Sequence, residues 1–237
     1  MDKTLWTAIG TFTAVVVAGC AAMQPAADDA ALRAKAVETM KVSFKEKGQA
    51  GLSRLNQDET QALCSQYGGR ALPKDVAEKI EKANFASIRW PSDGKFVGDW
   101  RQGERIAQEG RGFQYSDDPT GPVGANCYAC HQLSKQEISF GTMGPSLYNF
   151  GKLRGYTDEM RRYAWGKVYN SQAYSACTNM PRFGHAKILT EQQLRDVVAL
   201  LMDPASVLQA PHAHWLAPAE RFARLQTLAR LLLVAIL

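Results

Sequence analysis

The sequence has 237 residues, room for one domain with long additions or for two small ones. Hydrophobic residues make up 46% and charged residues 22%, an ordinary balance for a globular protein. The net charge is +5 with a pI near 8.9, but no block of Lys and Arg of the kind that binds nucleic acid is present, so an acidic protein partner or an anionic substrate suits the chain better.

The chain opens on what reads as an export signal over residues 1–19, with Lys3 ahead of an apolar run from about Thr7 to Ala18. Val17-Ala18-Gly19-Cys20 has the small residues and cysteine of a lipoprotein cleavage box and predicts acylation of Cys20. The alternative is an ordinary signal cut near Ala22, which would remove Cys20. The apolar run is short for a membrane span, and either route takes the protein to the periplasm, with or without a lipid tether.

Residues 20–94 read as a linker and a helical extension. An Ala-rich tether containing Pro25 runs to about Asp29. Residues 30–47 predict a helix with Val37, Met40, Val42 and Phe44 on its apolar side. Residues 52–67 predict a second, burying Leu52, Leu55 and Leu63 and ending at Gly68-Gly69. Residues 73–86 predict a third, opened by Pro73, with Val76, Ile80 and Ala83 at helical spacing. No metal or catalytic constellation lies in this segment, so packing and partner contact are its expected roles.

Trp90-Pro91-Ser92-Asp93-Gly94 breaks the pattern and marks a boundary, giving a second domain over residues 95–204 and a tail over 205–237. A helix is expected over residues 98–110, with Trp100 and Ile106 in the core, and a loop over 117–122. Then comes Cys127-Tyr128-Ala129-Cys130-His131, the spacing for covalent haem attachment. The two thiols add across the haem vinyl groups, and His131 becomes an axial ligand. Zinc would ask for a second pair of ligands at similar spacing, and a thioredoxin-like pair for a βαβ setting; neither is seen around this turn. The order of helix, loop, haem turn, loop and helices is that of class I cytochromes c. The expected fold is therefore all-α, a class I cytochrome c domain with an N-terminal helical extension, carrying one haem c.

In class I cytochromes c a Gly-Pro-x-Leu stretch such as Gly144-Pro145-Ser146-Leu147 crosses the proximal side, and the proline carbonyl accepts a hydrogen bond from the ligand histidine. The second axial ligand is expected to be Met180, in the loop Asn179-Met180-Pro181-Arg182-Phe183-Gly184, with His185 as the main rival and Cys177 as a lesser one. Met143 adjoins the proximal Gly-Pro, Met160 sits in a helical stretch, and Met202 ends the last helix. That helix, residues 189–202, has Thr190 and Gln193 as a capping box and an apolar face of Leu194, Val197, Val198 and Leu201. In class I cytochromes c the last helix crosses the first, so the likeness implies that it meets Trp100 and Ile106. With Cys127, Cys130 and Cys20 assigned, Cys64 and Cys177 remain, and two such cysteines in an oxidising compartment are expected to pair; two buried free thiols are the alternative. The tail from Trp215 is helical in composition, with Arg221, Arg224 and Arg230 and an apolar end too short to span a bilayer; a membrane-surface role, a partner-covering role and a poorly ordered tail stay open.

Several stretches together resemble SoxX, the monohaem subunit family of the SoxAX cytochromes of bacterial sulfur oxidation. They are Asn126-Cys127-Tyr128-Ala129-Cys130-His131, the run from Ser139 to Leu147, Tyr148-Asn149-Phe150-Gly151-Lys152-Leu153-Arg154-Gly155, Asn179 to Gly184, and Leu201-Met202-Asp203-Pro204. Arg54-Leu55-Asn56-Gln57-Asp58-Glu59-Thr60 resembles the longer members. The likeness spans residues 30–204; the tail from Ala210 has no counterpart, and the lipoprotein box is not expected of every member. The resemblance implies a periplasmic heterodimer with a SoxA-type cytochrome, an L-cysteine S-thiosulfotransferase that joins thiosulfate to a cysteine of a SoxYZ-type carrier protein. This chain would be its non-catalytic electron-transfer subunit, His131/Met180 ligated, passing electrons to a small soluble cytochrome c. Lys152, Arg154, Arg161, Arg162 and Arg182 would frame protein contacts, although a charge run is usually a solvated face. The alternative is a free-standing or lipid-tethered monohaem cytochrome c; a haem-free zinc or scaffold protein is the third reading.

Overall fold

Three side chains set where the major helices begin. Asp58 accepts from Gln61 N–H at 2.9 Å while Gln61 Oε1 accepts from Asp58 N–H at 3.0 Å, and Thr190 and Gln193 form the same reciprocal box. Thr157 accepts from Met160 N–H at 3.2 Å. The structure, a computed structural model, describes residues 26–209 other than Gly69 and Gln136. Among them the helices are α1 (Ala26–Ser43), α2 (Glu59–Tyr67), α3 (Lys74–Ala86), α4 (Trp100–Gln108), α5 (Phe150–Arg154), α6 (Asp158–Tyr169) and α7 (Glu191–Met202). Short 3-10 turns cover Leu52–Leu55, Cys127–Ala129 and Ser171–Ala173. The chain is all-α as expected: no strand occurs among the described residues beyond one isolated bridge, Lys47 to Ala50. No described helix is long and apolar enough to cross a membrane. The stretch expected to be an export signal, Cys20 and the tail from Ala210 lie outside the described residues.

The chain divides into two compact units. One runs to Glu46 and takes in Gly51–Leu55; the other holds Lys47–Ala50 and everything from Asn56. Helices α2 and α3 therefore share a unit with the Cys127–His131 turn. Three sequence expectations change here. The first helix forms, but Val37, Met40, Val42 and Phe44 are all exposed: among the described residues of its own unit nothing covers that side. The predicted helix over 52–67 is two pieces, since the Asp58 cap starts a new helix rather than letting one pass through; Leu55 and Leu63 are only half-buried and Leu52 is exposed. In α3 the buried face is Ile80 and Asn84, four apart, and Ala83 turns outward.

The core forms where α4 crosses α7, the most extensive helix contact in the molecule. Gly103 makes the approach possible: a Cβ there would stand 2.0 Å from the Asp196 carbonyl oxygen. Ile106 and Ala107 join Leu194, Val197, Val198 and Leu201 in one cluster, which extends through Ala164, Trp165, Val168 and Tyr169 of α6 to Leu133. Trp100 is buried too, but outside that cluster. Asp196 Oδ1 accepts from Asp99 N–H at 2.9 Å, and Arg195 makes a two-pronged bridge to Asp93, so the loop before α4 is pinned to α7.

Candidate haem-attachment site

The turn at 127–131 is built from the end of α4 outward. Ala125 N–H donates to the Ile106 carbonyl at 2.8 Å and Asn126 N–H to the Glu109 carbonyl at 2.9 Å, which ties the strand of loop to the core helix. Asn126 then takes a left-handed backbone, φ 45°, which starts the 3-10 turn. Cys130 and His131 N–H groups both donate to the Cys127 carbonyl, so thiols and imidazole are carried on one tight turn. Cys127 and Cys130 are free thiols, both half-buried. Burial pushes the Cys127 thiol up to about 12, so it sits neutral among apolar neighbours.

The proximal loop folds back on this turn. Gly141 N–H donates to Tyr128, Gly144 N–H to Cys130 and Leu147 N–H to Gln132. His131 Nδ1 donates to the Pro145 carbonyl at 2.7 Å, which fixes the tautomer and leaves Nε2 as the free donor atom. Gly144 lies flat against the imidazole: a Cβ there would be 2.1 Å from His131 Cε1. Gly141 is equally constrained, 1.8 Å from the Ala129 carbonyl by the same measure. Two free thiols on one turn and an imidazole oriented through its other nitrogen suit covalent haem attachment. Among the described residues no group of three or more His, Cys, Asp or Glu gathers in a geometry that would hold a metal ion directly.

Met180 is half-buried and packs against the core cluster. Its carbonyl accepts from Ser171 Oγ at 2.5 Å and its N–H donates to Thr178 Oγ1 at 3.4 Å. The rivals are engaged elsewhere. Cys177 is bonded to Cys64, so it offers no thiolate. His185 is exposed at its surface edge, with Nδ1 3.2 Å from Ser87 Oγ, and the partial desolvation of its ring together with the Arg182 charge holds its pKa below the ordinary value. Of the five cations expected to frame contacts, Arg161 pairs with Asp158, Arg162 lies 3.8 Å from the centre of the Trp90 ring, and Arg182 pairs with Asp58. Lys152 and Arg154 are exposed on α5 beside Leu153, itself 76% exposed.

Sequence reading missed the polar cradle of the Met180 loop. Asn170, Ser171, Gln172 and Thr178 obey no recognisable spacing; Ser171 and Gln172 reach carbonyls nine and six residues on, Thr178 accepts from Met180 N–H, and Asn170 reaches the side chains of Asn84 and Ser87 at the end of α3. The clue in the sequence was an unusual run of amides and hydroxyls, Asn170-Ser171-Gln172, straight after an amphipathic helix.

The description "Cytochrome c" belongs to the family model that matches residues 122–203. An uncharacterized lipoprotein of Aquifex aeolicus (strain VF5) is 34% identical over 208 residues, covering 82% of this chain and 95% of the relative. The likeness therefore runs well beyond the haem-attachment turn and into the helical extension.

Proposed function

The chain belongs to the cytochrome c family, and on that premise we propose that it is the one-electron relay subunit of a SoxAX-type thiosulfate-conjugating enzyme outside the cytoplasm. When bound, haem c supplies a couple that accepts and releases single electrons. Cys127 and Cys130 would hold it by thioethers, and His131 Nε2 and Met180 Sδ would be its axial ligands. The Pro145 carbonyl keeps the His131 ring in one orientation and makes it a better donor. Met180, a soft thioether on a loop clamped at both its N–H and its carbonyl, favours the reduced state and asks for little rearrangement. Both features suit a relay rather than a site that binds substrate.

The observation that carries the enzyme assignment is the run Ser139–Gly155, whose resemblance to SoxX covers the proximal loop and α5, where Lys152 and Arg154 stand exposed. In the conjugation, thiosulfate and a carrier cysteine thiol form an S–S bond and lose two electrons and one proton. A SoxA-type partner would carry that chemistry, and this chain would pass the electrons singly to a small cytochrome c. One observation favours the second reading, a lipid-tethered carrier: the relative from Aquifex is described as a lipoprotein. Tagged protein isolated from its native host separates the two. A second haem-bearing chain in the isolate, with thiosulfate and carrier protein reducing this haem only in its presence, is the expected result. A haem protein isolated alone, and indifferent to thiosulfate, would leave the tethered carrier.

A further inference from the structure

A disulfide and several polar ties run from α2, its cap and α3 to residues 170–185, on both sides of Met180. Asp58, the cap of α2, pairs with the partly buried Arg182 at 2.5 Å. Cys64 of α2 is bonded to Cys177. Glu81 of α3 accepts from Ala176 N–H at 3.1 Å. Buried Asn84 accepts from the Asn170 amide at 2.9 Å, and its own amide is held by Ile80 and Thr60. Ser87 accepts from the same Asn170 amide at 3.0 Å and meets His185.

These ties hold a loop that is itself laced up. Gln172 bridges it from within, its amide donating to the Thr178 carbonyl at 3.0 Å and its oxygen accepting from Cys177 N–H at 2.5 Å. Asn170, gripped by α3, accepts from Gln172 N–H. Ser171 then grips the Met180 carbonyl. Cys177 sits at φ 59°, a left-handed backbone that a non-glycine residue keeps only when its surroundings dictate it. The chain of contacts runs α3 to Asn170, to Gln172 and Ser171, to Met180, with the disulfide closing it from α2.

We propose that the α2–α3 extension is a brace for the Met180 loop: Cys64, Asp58, Glu81 and Asn84 are positioning residues that hold the thioether ready to ligate and keep a competing ligand out. This rests on Met180 as the sulfur ligand. A loop free to swing open exposes the iron for part of the time, and a competitor binds in proportion to that open fraction. A loop fixed by a disulfide, an ion pair and buried amides spends less time open, so its ordering cost is already met before ligation.

The test is an imidazole titration of the ferric holoprotein, following the band near ~695 nm that thioether ligation gives. Wild type is compared with Cys64→Ala/Cys177→Ala, which removes both thiols so that neither can stray into haem attachment, and with Asp58→Asn, which keeps a capping side chain but drops the charge facing Arg182. Imidazole should bind the double variant at least about tenfold tighter and Asp58→Asn by a smaller factor, with helix content by circular dichroism unchanged. Amide exchange over residues 176–183 should quicken in the same order. Affinities within about twofold of wild type in the folded variants would overturn the brace while leaving Met180 as ligand. Should the double variant fail to fold, Asp58→Asn decides alone. A wild type that lacks the band, with imidazole affinity indifferent to Met180→Ala, would sink the ligand reading first and the brace with it.

Discussion

Gly144 shows how much of the site turns on single atoms. The His131 ring is fixed on one edge by the Pro145 carbonyl and on its face by the Gly144 backbone, where even one methyl group has no room. Gly144→Ala must push the imidazole off its hydrogen bond, and disturbing such an outer contact commonly costs ten- to a hundred-fold in metal binding. The yield of holoprotein, read by haem stain after denaturing electrophoresis, is expected to fall about tenfold; an undiminished yield with an unchanged spectrum would show that the ring has slack. Asp58 makes a prediction about pH. Burial works to raise its carboxyl, but hydrogen bonds from Gln61 N–H and Arg182, with the Arg182 and His185 charges, hold it below its ordinary 3.8. Its stabilising share is therefore complete above that value and is lost as the pH falls through the lower folded one. His185 acts in the same direction earlier: partial desolvation of its ring depresses its pKa, so below its ordinary 6.5 the unfolded chain takes up the proton first. Acid denaturation followed by circular dichroism should thus start in mild acid and steepen below pH 3.8, and Asp58→Asn should flatten the lower limb.

Helix pairing shows which parts of the fold the sequence disclosed. Helix α7 and its buried face were readable from Leu194, Val197, Val198, Leu201 and the Thr190–Gln193 box, because periodicity and capping are local signals, whereas its crossing of α4 was expected only from the likeness to class I cytochromes c. The role of Gly103 was not readable, since nothing in a sequence says what backbone will lie opposite. Gly103→Ala would set a methyl group into the Asp196 carbonyl, and overpacking of this kind costs ~1–3 kcal/mol. Urea unfolding should shift its midpoint down with little change in slope. The haem turn was legible outright, because covalent attachment demands one spacing. The extension was legible only as helices. The break at Asp58 follows from a cap overriding helical composition, and the exposure of Val37, Met40, Val42 and Phe44 shows that an apolar side predicts burial only where a neighbour supplies a face. The polar ties from Asn84 to Asn170 and from Asp58 to Arg182 join residues far apart in the chain, and no periodic rule encodes them.

At the scale of the whole molecule, the question is where the relay stands relative to the membrane. A haem unit that hands electrons to a soluble cytochrome needs freedom to meet it, and α1, which the sequence suggested would be preceded by a linker through about Asp29, already begins at Ala26. Val17-Ala18-Gly19-Cys20 is the stretch that raises an attachment at Cys20. One acyl chain alone holds a protein only marginally, and stable anchoring takes two or more signals. Cys20→Ala should still be exported, since the apolar run before it is intact, and should still acquire haem at Cys127 and Cys130. The difference should be in fractionation: wild type pelleting with membranes and released by detergent but not by salt, the variant in the soluble periplasmic fraction. Salt release of wild type would instead mark an electrostatic attachment, consistent with the net charge of +5. Equal distribution of both proteins would place the cleavage beyond Cys20 and leave the cytochrome unit freely diffusing.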